Sequence, residues 1–349
     1  MNLDFYKGKR VLITGHTGFK GSWLSQILVD AGAKVTGYSL KPTKKNNLFN
    51  DLGLAKKINS ISGDIRNFKK LKETFDKYKP EIVFHLAAQP IVRESYINPR
   101  YTYETNVMGT VNLLECIRIT GTVKSLLNIT TDKVYQNKEW EWGYREDEYL
   151  DGFDPYSNSK SCSELVTHSY VNCFFPDKEV RISTARAGNV IGGGDMGKDR
   201  IIPDCVRASR KRKDIVLRNP YSVRPYQHVL EALFAYLMIA EKQYEDPKYC
   251  GYYNVGPNEE DCVSTGTIAD LFCSNWGDNQ KWITTCEEGP HEANFLKLDC
   301  SKIKKVFKWK PTWNIDKAIK KTVEFYKSDD IKKCISKQIK EFDKERRWN

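Results

Sequence analysis

The stretch Val11-Leu12-Ile13-Thr14-Gly15-His16-Thr17-Gly18-Phe19-Lys20-Gly21 decides the fold. Its first four residues read as a buried strand, and the strand ends in G-x-x-G-x-x-G. Phe19 to Asp30 then carries apolar residues at helical spacing. Glycines at a strand-to-helix turn let a pyrophosphate approach backbone N–H groups with no Cβ in the way, and the helix N-terminus adds positive potential. Gly15, Thr17, Gly18, Phe19 and Gly21 are the first candidate ligand residues.

Outward from this turn, apolar runs alternate with helical patterns. Lys34 to Ser39, Ile58 to Asp64, Ile82 to Leu86, Ser125 to Thr130 and Arg181 to Ala185 read as further strands. Near-continuous apolar strands separated by helices predict an α/β fold, a doubly wound parallel sheet covered on both faces. Its ligand belongs at the carboxyl ends of the strands. Past Gly188 the pattern loosens into short mixed elements, punctuated by Gly192-Gly193-Gly194, Asn219-Pro220 and Arg224-Pro225. His228 to Lys242 reads as an apolar helix returning to the sheet, and the charged stretch Ser328 to Arg347 as a solvated helix.

Composition removes several classes. The 349 residues, 40% hydrophobic and 29% charged, are those of a globular protein rather than a disordered or fibrous one. No apolar run approaches a membrane span, and Met1 to Arg10 lacks the apolar core of a signal peptide, so a cytoplasmic location is expected. The 56 Lys and Arg exceed the 45 Asp and Glu by 11, but the lysines are scattered among acids and no basic cluster carries interleaved aromatics. An anionic small substrate is expected, and neither nucleic acid nor a membrane surface. Ten cysteines form no C-x-x-C pair and the five histidines are dispersed, so no metal site is expected and the thiols are read as reduced.

The second strand ends in Tyr38-Ser39-Leu40-Lys41, without the acidic residue that usually grips an adenosine ribose. Lys41, Lys44 or Lys45 can meet a 2′-phosphate instead, so NAD and NADP both stay open. Asp64 and Ile65 follow the third strand, on the adenine side of such a fold; Ala87-Ala88-Gln89 follows the fourth, where small residues let a cofactor pass. Tyr156-Ser157-Asn158-Ser159-Lys160 is Y-x-x-x-K, which puts both side chains on one helix face. There Lys160 can hold ribose hydroxyls and lower the Tyr156 pKa, so that a tyrosinate accepts a hydroxyl proton as hydride leaves the same carbon. Thr131, ending the fifth strand, can hydrogen-bond that hydroxyl. Asp132 and Lys133 add an ionisable pair that plain redox chemistry does not need and that elimination of water does.

With these residues placed, the chain resembles the extended short-chain dehydrogenase/reductases, and among them the CDP-glucose 4,6-dehydratases. The resemblance runs from about Gly8 to about Tyr326. It rests on Gly15 to Trp23, Ala87 to Pro90, Asn106 to Thr110, Thr131-Asp132-Lys133, Asp154 to Lys160, Arg186 to Asp195, Arg218 to Pro225 and Pro290 to Ala293. Lys133 is the CDP-type variant of a position that is Glu in dTDP-glucose relatives; Val134 and Tyr226 depart from the close relatives' usual Cys and Trp.

The resemblance implies a Rossmann domain of residues 1–188 plus about 226–258, and a sugar-nucleotide lobe of about 189–225 plus 259–349. It implies NAD as cofactor, with Asn106 beside its site. It also implies a homodimer or higher homo-oligomer paired through helices of roughly Tyr101 to Ile119 and Tyr156 to Cys173. The reaction implied converts CDP-glucose to CDP-4-keto-6-deoxyglucose, a precursor of bacterial surface polysaccharides such as the lipopolysaccharide O-antigen. Tyr156 takes the 4-hydroxyl proton, Asp132 protonates the departing carbon-6 hydroxyl, and Lys133 removes the carbon-5 proton. Arg224 and Arg218 are candidates for the diphosphate. Asn189 and Arg186 stand near where relatives place substrate contacts, His291 is a further substrate candidate with a structural role as its alternative, and Trp140 and Trp142 flank a loop after the catalytic strand. The alternatives are a GDP- or UDP-linked substrate or a 4-epimerase, which loses no water; a non-catalytic cofactor sensor would have a broken Tyr/Lys pair, and this pair is intact.

Overall fold

A computed structural model describes residues 2–42, 47–177, 179–285 and 295–347. The chain divides into two compact units. One holds the chain up to Gln136 with Asp147–Arg186 and Leu233–Tyr253; the other holds Asn137–Glu146, Ala187–Ala232 and the chain from Asn254 onward.

In the first unit the strands β1 (Arg10–Thr14), β2 (Lys34–Ser39), β3 (Asn59–Ser62), β4 (Ile82–His85), β5 (Ser125–Ile129) and β6 (Arg181–Ala187) form a sheet. Its order is β6-β5-β4-β1-β2-β3, joined by five parallel pairings. A further strand that the sequence reading missed, Tyr252–Val255, pairs outside β6. Strand order reverses between β1 and β4, so the ends of these two strands frame a cleft. β1, β4 and β5 are buried almost end to end, as a sheet covered on both faces requires. On one face Leu12, Val83 and Leu126 pack under Leu71 and Phe75 of the helix Phe68–Tyr78, and Leu113 and Ile117 of Gly109–Thr120.

The second unit is built from two-stranded ladders, Val190–Ile191 with Gln227–His228, Val223–Pro225 with Cys262–Ser264 and Ile215–Leu217 with Trp282–Thr284. The helices Ile201–Arg210, Thr265–Trp276, Ile315–Lys327 and Ile331–Glu345 accompany them. The last corrects the solvated helix expected at the C-terminus. Its charges lie on one side only, while Cys334, Ile335, Gln338, Ile339 and Phe342 are buried, Phe342 edge-on to Trp313 with centroids 5.0 Å apart. Counting charges hid a stripe at helical spacing. The expected apolar helix is Val229–Glu245. The nine described cysteines are free thiols.

Candidate active site

The turn after β1 is shaped by close backbone approach. Gly15 has φ +77°, and a Cβ there would stand 2.9 Å from the Ala87 nitrogen at the end of β4; one on Gly21 would stand 2.2 Å from the Gly15 carbonyl oxygen. Gly18 caps the helix Phe19–Asp30 without a side chain, leaving the helix start to face a ligand through its backbone. His16 is buried with Nε2 2.8 Å from the Ser60 hydroxyl, and burial lowers its pKa to about 4, so it is a neutral prop between this turn and β3. The Thr17 hydroxyl lies 2.8 Å from that of Ser39 and donates to the Leu40 carbonyl. A bare glycine cradle at a helix N-terminus, beside the strand-order reversal, is what a dinucleotide pyrophosphate needs, so these residues fit NAD.

Other expected cofactor residues divide. Ala87 donates its N–H to Thr14 Oγ1 at 3.1 Å, and it and Ala88 are half-buried. The Gln89 side chain turns away, its Nε2 donating to the Ile91 carbonyl and Thr102 Oγ1; only its backbone stays at the strand end, held by Asn106 at 2.8 and 3.1 Å. Asn106 also donates to Ser159 Oγ at 2.9 Å, so it braces the neighbour of Lys160. It lies in a π-helical turn, Glu104–Met108, that nothing in the sequence reading anticipated. Asp64 is bound by Arg66 (2.7 Å), which holds its carboxyl below the usual range, and Ile65 belongs to the core.

β5 leads into the residues expected to be catalytic. Thr131 is extended and caps the single 3₁₀ turn Asp132–Val134, its hydroxyl donating to Asp132 Oδ1 at 2.9 Å. The Lys133 ammonium lies 3.3 Å from the same oxygen. Asp132 is 1% exposed, and its Oδ2 is buried with no hydrogen bond. A buried carboxylate oxygen without a hydrogen bond is costly.

Asp154 starts the helix Pro155–Phe174 by accepting the Ser157 N–H at 3.0 Å, with Pro155 at the first position. Tyr156 (9% exposed) and Lys160 (5%) share a face. Lys160 donates to the Ile129 carbonyl at 3.1 Å, and burial lowers its pKa to about 8 against the opposing pull of Glu164. Ser161 donates to the Val134 carbonyl at 2.7 Å, tying the Asp132–Val134 turn to this helix. The structure thus brings Thr131, Asp132, Lys133, Tyr156 and Lys160 onto two elements stitched together. Tyr236, which the sequence reading passed over as one residue of an apolar helix, is buried; its phenol pKa is raised by burial and then by Tyr156 and Asp132, and its hydroxyl makes no hydrogen bond.

The expected substrate residues fare unevenly. Arg186 is not presented to a ligand: it is 2% exposed and its guanidinium is engaged by Glu164 and by the Tyr135 hydroxyl. Its place at the end of β6 was legible; its partner Glu164 was not. In the second unit Arg218 pairs with Asp199 at 3.0 Å, Arg224 is buried and donates to the Val223 carbonyl, and Asn189 bonds Tyr226 and accepts the Gln227 N–H. Trp140 lies between Trp142 and Tyr144, with centroids 5.5 and 5.2 Å apart. His291, Lys44 and Lys45 lie outside the described residues.

The model of the GDP-mannose 4,6 dehydratase family matches residues 12–322. The chain belongs to this family. It is 46% identical, over 97% of each chain, to a CDP-glucose 4,6-dehydratase of Salmonella typhimurium. A dTDP-glucose 4,6-dehydratase of Bacillus anthracis solved with NAD superposes with a TM-score of 0.75 at 20% identity, over 92% of this chain and 97% of that one. A UDP-glucose 4-epimerase of Thermus thermophilus solved with NAD superposes with a TM-score of 0.80 at 22% identity, over 92% and 99%. These solved likenesses carry the fold.

Proposed function

We propose that this chain is a nucleotide-sugar 4,6-dehydratase, a hydro-lyase of the CDP-glucose type that uses NAD. The observation that carries the reading is the buried Asp132 carboxylate with the half-exposed Lys133 ammonium 3.3 Å from it, on a turn stitched to the Tyr156–Lys160 helix. An epimerase has no use for an acid and an amine at that place. NAD, held at the glycine turn after β1, would supply hydride acceptance at carbon 4 of the sugar and hydride return at carbon 6. The chain's residues handle the protons. Tyr156, kept acidic by the charged Lys160, accepts the 4-hydroxyl proton, and Thr131 orients that hydroxyl. The 4-ketone acidifies carbon 5. Lys133 takes that proton and Asp132, entering protonated, gives one to the departing carbon-6 hydroxyl, so the elements of water leave across carbons 5 and 6; once carbon 6 is reduced, Lys133 returns a proton to carbon 5.

In the same reading the first unit binds NAD, with Gly15, Thr17, Gly18, Phe19, Gly21 and the Ala87-Ala88-Gln89 backbone at the cofactor. The second holds the nucleotide, with Arg224 for the diphosphate. The enzyme works in the cytosol as a homodimer or higher homo-oligomer. Met108, Ile119, Leu165 and Phe174, exposed on the helices expected to pair, support that assembly, and no helix among the described residues is long and apolar enough to cross a membrane. Incubation with NAD and CDP-, GDP-, UDP- or dTDP-glucose, followed by mass spectrometry, tests the function: CDP-glucose should lose one water, and an isomer of unchanged mass would replace the reading by epimerisation.

A further inference from the structure

Glu164 lies one helical turn beyond Lys160 and two beyond Tyr156, on the same face of the helix Pro155–Phe174. Its carboxylate, 1% exposed, is hydrogen-bonded throughout: Thr130 donates at 2.5 Å, Thr184 at 3.2 Å, and Arg186 through Nε at 2.8 and 2.9 Å and through its terminal nitrogen at 2.5 Å. Arg186 is fixed in turn, donating to the Tyr135 hydroxyl at 2.8 Å and lying over the rings of Tyr135 and Tyr252 at 5.0 and 5.5 Å. A buried ion pair is a weak source of stability, because desolvation offsets the attraction. This pair has a neighbour that needs it. Lys160 donates to the carbonyl of Ile129 and Glu164 accepts from Thr130, so consecutive residues at the end of β5 are tied to consecutive turns of one helix. Thr131-Asp132-Lys133 follows directly.

We propose that Glu164 is a positioning residue for the reaction: its carboxylate anchors, through Thr130, the strand end that carries Thr131 and sets a fixed negative charge one helical turn from Lys160, while Arg186 clamps that carboxylate in place. This assignment rests on the role of Lys160 proposed above. The titratable and charged groups on the elements packed around Lys160 do not replace Glu164. His85 on β4 is held neutral, its pKa lowered to about 3 by burial and by Lys160 itself. Lys133 is the proton acceptor of the reading above and Arg186 a guanidinium, so neither supplies a negative charge. Asp132 is engaged by Thr131 and Lys133 through Oδ1. Tyr135, Tyr156 and Tyr236 are phenols. Burial drives Lys160 toward neutrality, and Glu164 opposes it.

The sign follows. The reaction needs Lys160 charged, so activity falls as pH rises through the Lys160 pKa; without Glu164 that pKa drops and the alkaline limb moves to lower pH. The test is the pH profile of kcat with NAD and CDP-glucose for the wild type, Glu164→Gln, the charge-balanced double variant Glu164→Gln/Arg186→Gln, and Lys160→Met. Both Glu164 variants should move the alkaline limb down by about half a pH unit or more, that is, lose about threefold or more in relative activity on that limb. The double variant, which strands no charge, decides the matter if the single one does not fold. A folded double variant with the wild-type profile overturns the proposal, as does failure of both to fold, which would make the pair a requirement of folding alone. Wild-type turnover by Lys160→Met overturns the underlying reading instead.

Discussion

At the scale of single residues, the site is defined by groups whose partners are incomplete or crowded. Asp132 holds one oxygen in hydrogen bonds and leaves the other open in a buried place. Asp132→Asn keeps the shape and removes the transferable proton. Its kcat should fall about 10²–10⁴-fold while reduced nicotinamide still accumulates at 340 nm with substrate (about the usual size of an acid–base contribution); turnover at the wild-type rate removes Asp132 from the acid role. Gly15 is the crowded case, with φ +77° and a neighbour at 2.9 Å. Gly15→Ala pushes the β1 and β4 ends apart, and the dissociation constant for NAD should rise about tenfold or more, read by calorimetry, because the phosphate cradle is made of backbone.

At the scale of elements, one helix and one strand end do most of the positioning, and a buried acid ties a third place together. Glu231, on the helix Val229–Glu245, accepts the N–H groups of Thr312 and Trp313 at 2.9 and 2.6 Å. Burial outweighs those two bonds and raises its pKa to about 8. A carboxyl whose folded pKa stands above its unfolded value of 4.5 favours the folded state most at low pH. That stability drains away as pH rises from about 4.5 to about 8. Thermal melts of the wild type should therefore fall across this window, and Glu231→Gln, which keeps the accepting oxygen and cannot ionise, should flatten that slope. An unchanged slope in the variant would assign the pH dependence to other groups.

At the scale of the whole molecule, the net charge of +11 acts on an anionic substrate from a distance. Raising ionic strength from about 0.01 to 0.15 M shortens the screening length from about 30 to 8 Å. KM for the nucleotide sugar should rise severalfold and kcat should hold, in steady-state assays; a salt-insensitive KM would restrict the electrostatics to direct contacts. In the proposed reading, the division into two units puts Thr131, Asp132, Lys133, Tyr156 and Lys160 in the first and Arg218, Arg224 and Asn189 in the second.

The alternation of apolar strands and helices, the glycine turn and the spacing of Tyr156 and Lys160 were all set by local order along the chain. They rest on periodicity and on one helical turn, which need no distant partner. Helix Phe19–Asp30 and strand β2 have the predicted bounds for that reason. Three things needed the tertiary structure. Glu164 reads in sequence as one more charge on a helix, and only the packing of β6 brings Arg186 to it. The buried face of Ile331–Glu345 is hidden by its lysines until Trp313 packs on it. The burial of Asp132, with one oxygen in hydrogen bonds and the other without, appears only once the chain has folded around it. Burial and pairing are properties of contacts far apart in sequence, and they decide which of many polar residues carry a charge, a proton or neither.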